Sequence, residues 1–203
     1  MVGAWRRHAP CGMTWRTLSL APYDHFKHHR RSVRLPAHDY AQPGAYFVTM
    51  VTKNRECLFG DIIDGKVNLT GLGEIVWEEW ERSCSIRAEM ALDVFVVMPN
   101  HIHGIVIITN HDGLVDPGSV GAHGRAPLPR APRSLGSFVA GFKSAVTKRI
   151  NDLRGTPGWS VWQRNYHERI VRDEDELYAK RRYIAFNPGR WRYDRENPGG
   201  NVG

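Results

Sequence analysis

Leu92-Asp93-Val94-Phe95-Val96-Val97-Met98-Pro99-Asn100-His101-Ile102-His103-Gly104-Ile105-Val106-Ile107-Ile108-Thr109 is the stretch that decides the fold. The runs Leu92 to Met98 and Ile102 to Thr109 are rich in β-branched and apolar residues, and Pro99-Asn100 between them is a turn signal. They therefore pair as an antiparallel hairpin with the histidines opening its second arm. Side chains alternate across a strand, so His101 and His103 share a face and both imidazoles can turn toward one metal ion.

Outward from the hairpin, Ala45 to Thr52 follows Pro43-Gly44 and reads as a first central strand, and Asp64-Gly65 marks a turn. From Thr70, Leu72, Ile75, Val76 and Trp80 recur at helical spacing while Glu74, Glu78, Glu79 and Glu81 fill the other face. Ser134 caps a second helix in which Leu135, Phe138, Val139, Phe142, Ala145, Val146 and Ile150 keep the period, with Lys143, Lys148 and Arg149 outside. Arg169-Ile170-Val171-Arg172 is a short strand, and Asp173 with Glu176 opens a last helix that Pro188 stops. The order βαββαβ plus a helix predicts an α+β fold: a ferredoxin-like antiparallel sheet with helices on one face and a C-terminal tyrosine-bearing helix.

The 203 residues suit one domain with extensions. The expected divisions are a flexible basic arm over 1–38, a domain over 39–195 with a Gly- and Pro-rich mobile loop over 110–133, and a tail over 196–203. The formal charge of +7 is unevenly spread. Residues 1–35 hold seven Lys and Arg against Asp24 alone, and 125–154 hold seven against Asp152 alone, whereas 61–93 hold eight acids against Lys66, Arg82 and Arg87. One side should attract polyanions, although a solvated face is the plainer reading of any single run. Lys143, Lys148 and Arg149, with Arg125, Arg130 and Arg133 of the loop, are the candidate phosphate contacts. Cys11, Cys57 and Cys84 have neither zinc-finger nor Cys-x-x-Cys spacing and read as reduced thiols. With no apolar run near the roughly 18 residues that span a bilayer, a cytoplasmic protein without membrane contact is expected.

Arg182-Tyr183-Ile184-Ala185-Phe186-Asn187-Pro188 places an amide one helical turn beyond a tyrosine. Tyr183 is preferred for that amide over Tyr166, Tyr178 and Tyr193, but an aromatic residue of a terminal helix also packs readily on a sheet. Gln163 and His167 either contact a reacting phosphate or brace the sheet. Trp159 and Trp162 either stack on unpaired bases or lie in the core.

Val96-Val97-Met98-Pro99-Asn100-His101-Ile102-His103, Val161-Trp162-Gln163, Arg169-Ile170-Val171-Arg172, Tyr183-Ile184 and Asn187-Pro188 together resemble the single-tyrosine HUH transposases of bacterial insertion sequences, most of all their REP-associated tyrosine transposase branch. The resemblance covers roughly residues 31 to 192. It implies DNA transposition and recombination by an enzyme that cuts hairpin-flanked single-stranded DNA and joins its tyrosine to the 5′ phosphate. By match to those motifs, His101, His103 and Asn187 would be metal ligands and Tyr183 the nucleophile. The best-known members carry Gln where this chain has Asn187. Mg²⁺ or Mn²⁺ is the expected ion, since hard oxygen donors suit the first and imidazoles tilt toward the second. Two other classes stay open: a non-catalytic nucleic-acid-binding domain, and a replication-initiator-like nicking enzyme. Both a monomer and a homodimer sharing tyrosine helices fit.

Overall fold

A computed structural model describes residues 40–87, 89–109 and 134–200. The basic arm, the 110–133 loop with Arg125, Arg130 and Arg133, and Cys11 lie outside the described residues. The elements are β1 (Gly44–Val51), β2 (Gly60–Ile63), β3 (Lys66–Leu69), α1 (Gly71–Ile86), β4 (Met90–Val97), β5 (His101–Ile108), α2 (Leu135–Arg154), β6 (His167–Val171) and α3 (Glu174–Phe186). Four strands form one sheet in the order β4-β5-β1-β6, with every neighbouring pair antiparallel. This is the expected α+β, ferredoxin-like arrangement.

The helices start where side chains can satisfy their free N–H groups. Thr70, Ser134 and Asp173 accept from the backbone of Gly73, Ser137 and Glu176. Glu176 accepts from the Arg172 N–H, one residue before the Asp173 cap, at 3.1 Å, so the start of α3 is closed from both sides much as in a capping box. β2 and β3, which the sequence reading passed over, form a separate hairpin; Asp64 and Gly65 both take left-handed φ at its turn.

Strand alternation divides β5 between two cores. Ile102, Val106 and Ile108 join Val48, Met50, Trp80, Phe138, Phe142 and Val146 beneath α1 and α2. Ile105 joins Phe47, Val96, Met98, Val171 and Ile184 beneath α3. Trp162 is 5% exposed and belongs to the first core, tied by a bridge to Thr52; it is therefore unavailable to stack on a base, which corrects one of its two readings.

Two other expectations are corrected. Glu79 is buried, not on a solvated acidic face, because it sits at the seam between α1 and α2 and receives Arg149 at 2.9 Å. Arg149 also pairs with Glu78, so its charge is committed within the fold. Glu196, placed in the tail, is buried: its carbonyl accepts from Asn100 at 2.6 Å and its carboxylate pairs with Arg55 at 3.0 Å. No helix of the described residues is long and apolar enough to cross a membrane.

Candidate functional site

β5 presents His101 and His103 to the α3 side of the sheet, and both are buried. The intervening Ile102 and the following Gly104 face the other core. Gly104 is required there because Trp80 lies where a Cβ would be.

The orientation of His101 follows from its neighbour. The amide nitrogen of the fully buried Asn100 donates to the carbonyls of Arg55 at 3.0 Å and Glu196 at 2.6 Å. Its Oδ1 therefore faces His101 Nδ1 at 2.8 Å and must accept from it, leaving a lone pair on Nε2. That Nε2 lies 3.0 Å from His103 Nε2, and His103 Nδ1 lies 2.8 Å from the Thr49 hydroxyl. Where Thr49 accepts, both Nε2 atoms present lone pairs to one point, as the ligands of a cation do; where it donates, the His103 Nε2–H donates to His101 instead.

A third donor comes from beyond α3. The 3-10 turn Pro188–Tyr193 folds the chain back and brings Asp194 Oδ2 to 3.9 Å from His101 Nε2. Ligand atoms of His101, His103 and Asp194 all lie within 4.8 Å of one another. Asn187, expected as the third ligand, touches the carboxylate, its Nδ2 donating to Asp194 Oδ2 at 3.2 Å, while its buried Oδ1 has no partner among the described residues. The residues fit a divalent ion: two neutral nitrogens, one carboxylate and a bare amide oxygen beside them suit Mn²⁺, and Mg²⁺ where substrate oxygens complete the shell. The sequence reading missed Asp194. Its only signal was a single acid between Arg190, Arg192 and Arg195, seven residues past Asn187.

Burial pushes both imidazoles toward the neutral form. His101 is lowered to about 4 although Asp194 pulls the other way. His103 is held well below its ordinary value by burial, then by His101, Lys180 and His167. Because the folded state resists protonation that the unfolded chain accepts, stability is full above about pH 6.5 and falls as pH drops toward 4. The metal-free protein should lose roughly 2 kcal/mol between pH 7 and pH 5 from His101 alone, read as a lower urea midpoint at unchanged slope.

Tyr183 is 42% exposed on α3, and its hydroxyl lies 3.4 Å from His103 Nε2 of the same chain. Its ring sits edge-on to Phe47 and His103. The other candidates divide between two places. His167 is exposed on edge strand β6, opposite Thr49 in register and so on the face of the histidine pair. Lys143, Lys148, Trp162 and Gln163 line an open groove beside α2 with Arg164. There Lys143 donates to the carbonyls of Gln163 and Asn165, and Lys148 pairs with Asp152.

An uncharacterized protein of Haemophilus influenzae is 39% identical over 168 residues, spanning 82% of this chain and 92% of that one. No family model matches. Among solved structures, a REP-associated tyrosine transposase bound to a REP hairpin aligns over 78% of this chain and 74% of its own, at 17% identity and a TM-score of 0.49. An overlap of that depth decides no chemistry, which rests on the side chains above.

Proposed function

The chain belongs to one family with the Haemophilus influenzae protein, and we propose that it is a metal-dependent single-tyrosine DNA transposase. On this reading it cleaves and rejoins hairpin-flanked single-stranded DNA through a 5′-phosphotyrosine. The observation that carries the reading is that Tyr183, 42% exposed as a residue, holds its hydroxyl 3.4 Å from one nitrogen of a His-His-Asp cluster.

A phenol with a pKa near 10 attacks poorly at neutral pH unaided. A divalent ion held by His101, His103 and Asp194 would polarise a non-bridging phosphate oxygen and hold the scissile bond for in-line attack. Asn100 and Thr49 fix the two rings so that their Nε2 atoms face that ion. Asn187 holds the Asp194 carboxylate in place. Tyr183 Oη forms a bond to phosphorus as the bond from phosphorus to the 3′ oxygen breaks; the phenolic proton leaves to solvent and the departing oxygen takes one up. The phosphotyrosine keeps the energy of the phosphodiester, so a 3′ hydroxyl can reverse the step and rejoin DNA without ATP. Since Tyr183 meets His103 of its own chain, this reading takes the site as formed within one protomer. His167 on the same face and the groove at Lys143, Lys148 and Gln163 are assigned to the DNA strand and to the hairpin.

Incubation with Mn²⁺ and single-stranded hairpin DNA from the flanks of its gene should give a protein–DNA species that survives denaturing gels. Tyr183→Phe should give none. A persistent adduct in that variant moves the nucleophile elsewhere, and hairpin retention without any adduct leaves a binding module.

A further inference from the structure

Lys180 lies one turn before Tyr183 on α3 and points into the same cluster. Its ammonium sits 4.7 Å from the ring centre of Phe47 and 6.0 Å from that of Tyr183. Phe47 in turn stacks on His103, with ring centres 5.4 Å apart. Lysine, tyrosine and metal-site histidine thus meet around one phenylalanine.

Lys180 is half-buried, yet among the described residues its ammonium makes no hydrogen bond or ion pair; its close partners are ring faces. Two basic side chains of β6 lie on the same face. Arg169, beside Phe47 in the sheet register, is bound to Glu176, and His167 is exposed at the strand edge. A partly desolvated ammonium with three donors and no acceptor is costly, and a cation–π contact offsets only part of that cost. Burial and Arg169 push its pKa down, with Glu176 pulling up, so the surroundings themselves disfavour the bare charge. An incoming anion would supply what the site lacks, and lysine suits a phosphate oxygen as a compact point charge.

We propose that Lys180 Nζ binds a non-bridging oxygen of the phosphodiester that Tyr183 attacks, and that it is a second catalytic residue of the transfer step. This assignment rests on the transposase reading and gives it a protein-borne charge in addition to the metal. Positioned donors of this kind act on charge that grows at phosphorus as the new bond forms, where they strengthen most.

The test is single-turnover adduct formation with Mn²⁺ and hairpin DNA carrying either an ordinary scissile phosphodiester or a methylphosphonate, which lacks one charged oxygen. Lys180→Met should slow the ordinary reaction by about 100-fold. Lys180→Arg should recover part of the rate. Hairpin affinity and Mn²⁺ affinity should stay within about threefold of wild type, since a single phosphate contact adds little to a many-contact interface. On the methylphosphonate, wild type and Lys180→Met should converge, a behaviour that a merely structural lysine does not produce. A wild-type rate in Lys180→Met, or an equal deficit on both substrates, overturns the assignment alone. Absence of any wild-type adduct on the ordinary substrate removes the transposase reading and the assignment with it. Should Lys180→Met fail to fold, Lys180→Gln answers the same comparison.

Discussion

Asp194→Ala should reduce adduct formation by about 1000-fold or more, because it removes the only carboxylate of the metal cluster among the described residues. Its Mn²⁺ affinity, measured by titration calorimetry, should fall below detection while the fold survives, since Asp194 lies outside both apolar cores. Asn187→Ala should behave differently. It leaves all three charged or imidazole donors and removes the amide that holds the carboxylate, so a loss of about 10- to 100-fold is expected, as for outer-shell partners. The reverse order, with Asn187 the more damaging, would restore the amide as a direct ligand. It would place Asp194 in support.

Gly104→Ala should destabilise the protein by about 3 kcal/mol, the upper end of overpacking costs. The added methyl would fall 2.5 Å from Trp80 Cη2, with Phe95 Cβ at 3.3 Å on its other side. Trp80 has no room to retreat. It is 1% exposed and held by Phe95, Phe138 and Phe142 with ring centres 5.3 to 5.6 Å away. Thermal denaturation should show the loss directly, and at temperatures where the variant stays folded its Mn²⁺ affinity should change little, because the methyl projects away from the histidines. A melting temperature equal to wild type would mean that Trp80 can repack.

The sheet and its helices were legible because each carries an uninterrupted period. The apolar runs on either side of Pro99-Asn100 could only be paired strands, and Leu135 to Ile150 could only be a buried-faced helix. The β2–β3 hairpin escaped because its strands have four residues each, too short for the alternation of Lys66-Val67-Asn68-Leu69 to stand out. Glu79 escaped for another reason. A glutamate at helical spacing looks solvated unless its partner is known, and Arg149 lies 70 residues away in the chain. At the site, the histidine pair was visible because strand geometry alone brings residues two apart together. Asp194 was not, because its place depends on a reversal of the chain after Pro188 that no local pattern announces. Trp162 carried an ambiguity that composition cannot resolve, since the same ring serves a base stack or a core.

α3 contributes little to the apolar cores. Ile184 is its one buried residue, Leu177 packs beside it, and Arg181 is tied to Asp93 at 2.7 Å. The larger core beneath α1 and α2 contains no residue from it. On the transposase reading, the attacking tyrosine thus sits on an element held mainly by surface pairs and ring contacts, whereas the ion-binding histidines belong to a central strand. A DNA end joined to Tyr183 would then be borne by the periphery of the fold, outside its main core.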